Sequence, residues 1–253
     1  MHRFFVEKNN IKNSKVIISG DDYNHIYKSL RLKPGDKIIA CPGDGFDYIT
    51  KLTDFNNEDN YVKGNIVEKT KNSSEPDINI SLAQAIPKDR NMELVAEKGT
   101  EIGIKYLIPL ETERTIVKIS GKKKKKRINR WQRIMEAAAK QSQRGIIPTV
   151  KDLYKLDDIQ DIIYDYDLVV ALWTGESDRT LYDIFEEINF DEVVDILILI
   201  GPEGGFTETE INKLNFNEHS FCYQANLGSR ILRTETAGLV VSSIILYNFN
   251  DFI

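Results

Sequence analysis

The run Ile196-Leu-Ile-Leu-Ile200 constrains the fold more than any other stretch of the sequence. Five consecutive aliphatic residues leave no polar face, so the strand they predict must be covered on both sides. That requirement points to an α/β architecture, a largely parallel sheet between two helix layers, and the surrounding pattern agrees. Further strands are predicted at Ile78–Ile86, Tyr106–Leu110, Leu168–Trp173 and Ser220–Gln224. Helices are predicted at Arg90–Ile102, Asn129–Arg144, Thr180–Ile188, Thr207–Asn215 and Thr234–Tyr247. Trp131, Ile134, Met135, Ala138 and Ser142 share one face of the second of these, and Ala237, Val240, Val241, Ile244 and Ile245 form a wide stripe on the last.

Upstream the texture differs. Short strand-like runs at Phe4–Val6, Val16–Ile18, Lys37–Ala40, Asp47–Leu52 and Tyr61–Val67, with a hairpin turn at Pro42-Gly-Asp-Gly45, predict a small barrel. One helix is expected over Asp22–Leu30, with Ser19 and Asp22 set as a variant capping box. The polar stretch Thr70 to Pro76 reads as a linker, which divides the chain into residues 1–72 and 73–253.

A net charge of −5 argues against a generic nucleic-acid binder, but the charge is unevenly spread. Residues 114–144 carry +11 and the remainder −16, so one local window faces a polyanion. Within it, the run Lys122 to Arg127 taken alone reads as a solvated loop, whereas Arg130, Arg133, Lys140 and Arg144 ride on the predicted helix. No apolar stretch reaches the length of a membrane span and the N-terminus lacks an apolar signal core, so a cytoplasmic location is expected. Cys41 and Cys222 lack the spacing of a zinc site or a disulfide; both are expected to be buried thiols, and no metal is expected.

Two glycine-bearing turns follow predicted strands. Gly201-Pro-Glu-Gly-Gly205 closes the Ile196 strand and leads to a helix capped by Thr207 and Glu210, where ligands of open α/β sheets bind. Its glycines let a ligand approach bare backbone amides. Neither a Gly-Lys-Ser/Thr P-loop nor a Gly-x-Gly-x-x-Gly fingerprint is present, which disfavours ATP and NAD. The Ser220 strand runs into Leu227-Gly-Ser-Arg-Ile-Leu-Arg233, ahead of a helix opening with Thr234 and Glu235. Together these ends could enclose a flat heterocycle between backbone amides and Leu227, Ile231 and Leu232, with Arg230 and Arg233 at the rim for an anion or a base. A purely structural turn and surface salt bridges remain the alternatives at this level.

These two motifs resemble the RsmE family of the SPOUT superfamily, the small-subunit ribosomal RNA uracil-N3 methyltransferases. The resemblance extends over nearly the whole chain, through His25 to Asp36, Met92 to Gly103 followed by Ile108-Pro109, and Trp131 to Pro148. The chain departs from the family pattern at Gly99, where alanine is expected, and at Ile102, where leucine is. The resemblance implies S-adenosylmethionine-dependent methylation of uracil 1498 in 16S rRNA or the small ribosomal subunit, by a homodimer without metal. It implies a trefoil-knotted methyltransferase domain over residues 73–253 and a PUA-like β-barrel for RNA over residues 1–72. Carried over residue by residue, the donor-binding positions are Leu172, Gly201, Pro202, Glu203, Gly204, Gly205, Leu227, Gly228, Ile231 and Leu232. The RNA contacts are Arg3, His25, Arg31, Lys98 and Arg144. Arg233 and then Arg230 are the catalytic candidates, with Glu203 the carboxylate beside them. The rival functions are a ribose 2′-O-methyltransferase on the same scaffold and an RNA-binding protein without catalysis.

Overall fold

Alternation of apolar and polar residues in the first strands buries one face of each, whereas the central strands of the second half are buried along nearly their whole length. The computed structural model describes residues 1–173, 175, 179–214 and 220–249. Two units result, one of residues 1–75 with 139–147 and one of residues 76–138 with 148–253.

In the first unit, β1 (Arg3–Phe5), β2 (Ile11–Lys12), β3 (Lys15–Ser19), β4 (Lys37–Cys41), β5 (Phe46–Asn56) and β6 (Tyr61–Lys71) form one sheet in the order β1-β4-β5-β6-β3-β2. The β1–β4 pair is parallel and the other pairs antiparallel. Register shifts at Ile49/Thr50 and Leu52/Phe55 bend the long β5–β6 hairpin, as bulges do. Phe4, Val16, Ile18, Ile38, Leu52 and Val62 pack in one core with Tyr23 and Ile26. Tyr23 comes from α1 (Gly20–Asn24) and Ile26 from the π-helical turn over His25–Ser29 into which α1 passes, rather than continuing regularly to Leu30. The expected capping box is not made: Gly20 opens the helix at φ 68°, and the Ser19 side chain caps nothing.

Residues 72–75 are anchored rather than a free linker. Asn72 donates to both oxygens of Asp47, at 3.1 and 3.2 Å. Glu75 accepts from the amides of Gly145 (2.7 Å) and Ile146 (3.1 Å) and from the Arg144 guanidinium (2.7 Å). A side chain at Gly145 would put its β-carbon 2.7 Å from the Asn72 side chain, so this approach needs glycine.

In the second unit, β7 (Asn79–Ala85), β8 (Tyr106–Glu111), β9 (Thr149–Val150), β10 (Tyr154–Lys155), β11 (Leu168–Leu172), β12 (Asp195–Ile200) and β13 (Cys222–Ala225) form an all-parallel sheet. Its order is β10-β8-β7-β12-β11-β13, with β9 also on β8. The helices are α2 (Asn91–Ile102), α3 (Gly121–Gln141), α4 (Leu156–Ile162), α5 (Leu181–Phe185), α6 (Glu208–Lys213) and α7 (Thr234–Asn248). As the aliphatic run demanded, β12 is buried on both faces. Ile196, Ile198 and Ile200 join a core containing Val95 of α2, Met135 of α3 and Val241 of α7, whereas Leu197 and Leu199 join another with Ile159 of α4 and Ile211 of α6.

The Lys122–Arg127 run is helical, which corrects the loop expected from its composition: lysine and arginine are good helix formers, and the run is continuous with the amphipathic segment that buries Trp131, Met135 and Ala138. The predicted helix over Thr207–Asn215 ends at Lys213, and Asn215 lies outside the described residues. Helix α4 and the two-residue strands β9 and β10 have too little period to be read in advance. Both cysteines are buried. At Gly99 a β-carbon would come 2.7 Å from Ile104 Cδ1, so alanine there asks the end of the Ile104 side chain to shift. Among the described residues no helix is long and apolar enough to cross a membrane.

Candidate active site

Register brings the strand ends level. Leu172 pairs with both Ile200 and Ala225, and Ile200 also pairs with Gln84. The 201–205 turn and the 226–233 loop therefore leave the sheet on either side of β11. The loop is tied down where it starts: the Asn226 amide donates to the Arg179 carbonyl (2.9 Å), and the Gly228 amide donates to Asn226 Oδ1 (3.0 Å). It ends at α7, where Thr234 Oγ1 donates to the Gly201 carbonyl (2.5 Å) and accepts from Gln84 Nε2 (2.8 Å). The two glycine motifs, about 30 residues apart in the chain, thus converge on one hydroxyl.

The 201–205 turn is braced by other strand ends. Arg114 donates to the Gly204 carbonyl (2.6 Å), and the Lys88 amide donates to the Glu203 carboxylate (2.8 Å). Glu210 makes its capping box with Thr207 and also accepts from the Glu113 amide (2.7 Å). A β-carbon on Gly201 would lie 2.9 Å from the Phe206 nitrogen, so the turn closes only around glycine. Gln84, Lys88, Glu113 and Arg114 were absent from the expected site. Their signal is a short polar stretch at the carboxyl end of a strand, which many surface loops share.

The loop itself presents exposed cations and apolar surface. Arg230 is exposed, Arg233 is 85% exposed with only a 3.9 Å approach to Glu235, and Ile231 is 89% exposed. Glu235 is buried and accepts from Asn91 Nδ2 (3.2 Å), which occupies it structurally. Gly228, at φ 87°, has open space where a side chain would project. Leu172 and Leu227 are partly buried against the main core. Bare backbone, aliphatic groups and rim cations fit a flat, hydrogen-bonding ligand beside an anionic one.

The expected RNA contacts separate into two sets. His25 and Arg31 are exposed in the first unit, Arg31 with a left-handed φ of 54°, and Lys98 on α2 bonds Glu97 and Glu101, each at 2.8 Å. Arg3 and Arg144 are corrected. The Arg3 side chain points inward from β1, 3% exposed, and holds Asp47 through two bonds of 2.5 and 2.7 Å. Arg144, also 3% exposed at its side chain, holds Glu75. Neither guanidinium faces solvent.

Residues 74–246 match an RNA methyltransferase domain, and residues 18–61 match an RNA methyltransferase PUA domain. The fold and these matches therefore define an RNA methyltransferase with a PUA-like N-terminal unit. The chain is 34% identical to ribosomal RNA small subunit methyltransferase E of Bacillus subtilis over 98% of its own length and 96% of the relative's. It is 32% identical to the Mesomycoplasma hyopneumoniae enzyme of that name, over 94% of this chain and 96% of the other. A crystal structure of ribosomal RNA small subunit methyltransferase E from Neisseria gonorrhoeae bound to S-adenosyl methionine superposes with a TM-score of 0.83 at 26% identity, covering 98% of each chain. The chain belongs to the ribosomal RNA small subunit methyltransferase E family.

Proposed function

We propose that this chain transfers the methyl group of S-adenosylmethionine to N3 of one uridine, uracil 1498, in 16S rRNA of the small ribosomal subunit. The observation that carries the reading is the convergence of the 201–205 turn and the 226–233 loop on Thr234, above level strand ends. Family membership and the donor bound to the Neisseria gonorrhoeae relative support it.

When bound, S-adenosylmethionine supplies an electrophilic methyl on a sulfonium. Backbone at Gly201, Pro202, Gly204, Gly205 and Gly228 would hold its polar edges, and Leu172, Leu227, Ile231 and Leu232 its flat face. Overall, the N3–carbon bond forms as the carbon–sulfur bond breaks, the electron pair leaves on sulfur, and the N3 proton goes to solvent. Because N3 lies on the Watson–Crick edge, the uracil must be unpaired or flipped out. As that proton departs, negative charge grows on the uracil oxygens, and Arg233, with Arg230 second, stabilises it. Glu203 acts on the turn rather than on the proton, since its carboxylate accepts the Lys88 amide. The return of residues 226–233 from β13 to α7 is the segment a SPOUT trefoil knot would thread. Residues 1–72 with His25 and Arg31, together with Lys98, contact the RNA. The active form is a cytoplasmic homodimer, a state supported by the exposed apolar side chains of Leu94 on α2 and Tyr247 on α7.

Reverse-transcription stops on 16S rRNA from a strain lacking the protein test the target: a stop restored at one uridine by the wild-type chain supports it, and methylation at a ribose 2′-oxygen instead refutes the N3 assignment. Arg233→Ala is expected to lower turnover about 100-fold at saturating donor and RNA, the scale of losing one transition-state charge donor. Full turnover would remove Arg233 from the mechanism.

A further inference from the structure

Helix α3 works against its own electrostatics. It has no acid in its first turn. Lys122, Lys123, Lys125, Lys126 and Arg127 crowd its positive dipole end. Lys122 with Lys126, Lys123 with Arg127, and Lys126 with Arg130 are like-charge pairs four residues apart, an arrangement that opposes a helix. Few neighbours compensate. Among the described residues Lys124 pairs with Asp152 (2.7 Å) and Arg130 with Glu93 (2.8 Å), while Lys122, Lys126 and Arg133 have no acidic partner.

At 3.6 residues per turn, Lys122, Lys126, Arg130 and Arg133 fall within about 80° of one another and span about 16 Å of the axis. All four are exposed, opposite the buried Trp131 and Met135. A shallow concavity beside them is lined by Lys126, Asn129, Arg130, Arg133, Ile134 and Ala137. The face offers no exposed aromatic ring for stacking on a base, and Ala137 is its one exposed apolar side chain, too little for a membrane surface. What it does offer is a row of cations on a rigid rod, matched to a chain of phosphates.

We propose that this face of α3 binds the sugar-phosphate backbone of the substrate RNA, independently of base sequence. The proposal rests on the RNA methyltransferase reading for the identity of the polyanion. The helix keeps its repulsive face because the phosphates of the bound RNA neutralise it.

The test uses the full chain with Lys122→Gln, Lys126→Gln and Arg133→Gln combined. Glutamine keeps helix propensity, and Arg130 is left to its pair with Glu93. Affinity for transcribed 16S rRNA is measured between 50 and 200 mM salt, an interval over which charge contacts separate clearly. Three lost contacts should reduce the slope of log affinity against log salt by about 2, at about 0.7 per phosphate of single-stranded RNA. Calorimetric affinity for S-adenosylhomocysteine should be unchanged. A control combining Lys151→Gln, Lys155→Gln and Lys213→Gln should move the slope by less than half as much. A wild-type slope in the α3 variant, or an equal change in the control, overturns the proposal. Failure of the wild-type chain to bind S-adenosylhomocysteine would instead overturn the methyltransferase reading, and the slope would still decide whether α3 grips RNA.

Discussion

Arg114 holds the Gly204 carbonyl from 90 positions away, so its loss would loosen the 201–205 turn proposed to hold the donor without removing any group proposed to touch it. Arg114→Ala should weaken S-adenosylhomocysteine binding about fivefold, on the order of 1 kcal/mol, less than a buried charged hydrogen bond contributes because this one is exposed. Unchanged affinity by calorimetry would reduce Arg114 to surface decoration. Cys222 gives a second test at this scale. Burial pushes its thiol up to about 12, so the folded chain keeps it protonated where a free thiol ionises. At pH 8.5 an alkylating reagent should therefore label Cys222 only after unfolding; labelling at the rate of an exposed thiol would contradict its burial. The sign for stability follows: the contribution of the buried thiol is complete below about pH 9 and is lost as pH climbs toward 12, because the unfolded chain releases the proton first. The glycine turns were legible because a five-residue aliphatic run must stop somewhere, and glycine at the stop has few other uses. Arg114 was not, because its partner is a backbone carbonyl that only the fold brings near. Arg3 and Arg144 fail in the opposite direction: an arginine on a strand or after a helix looks the same in sequence whether it faces water or a buried carboxylate.

Among the elements, β12 was readable to the residue, since an unbroken aliphatic run forces two covered faces, and Ile198 and Leu199 do lie in different cores. The capping box at α6 was equally plain, whereas the one expected at Ser19 failed because Gly20 takes a left-handed conformation between cap and helix. The start of α3 was hidden because charge density and helix propensity pull in opposite directions over Lys122–Arg127. Propensity prevails in the structure, but the strain predicts a response. Lys123→Glu places an acid in the first turn and an i,i+4 partner for Arg127, and should stabilise the chain by about 0.5–1 kcal/mol. Urea titration reads this as a higher midpoint at an unchanged slope. A lower midpoint would mean that α3 is not strained by its lysines. Added salt should narrow the difference between the two proteins, because screening relieves the repulsion in the native sequence.

At the scale of the whole molecule, a split at residue 72 follows from composition, but composition cannot show that residues 139–147 belong with residues 1–75. The connection is made by Glu75, in a stretch that reads as polar linker. Its carboxylate takes two backbone amides and the buried Arg144 guanidinium, so removing it takes a paired carboxylate from a cation with little access to water. Breaking such a pair from one side costs about 3–5 kcal/mol. Glu75→Ala should therefore lower the melting temperature of the first unit by roughly 12 °C or more, given about 4–8 °C per kcal/mol for a domain of this size. Glu75→Gln keeps an acceptor for the amides and should fall between. Scanning calorimetry of the full chain, with and without S-adenosylhomocysteine, separates the units. The ligand should raise only the transition of the unit bearing the glycine turns, and the Glu75 variants should lower only the other. A single transition moved equally by ligand and by Glu75→Ala would mean that the two units unfold as one cooperative body, and the loss at Glu75 would then weaken the unit bearing the glycine turns as much as the first unit.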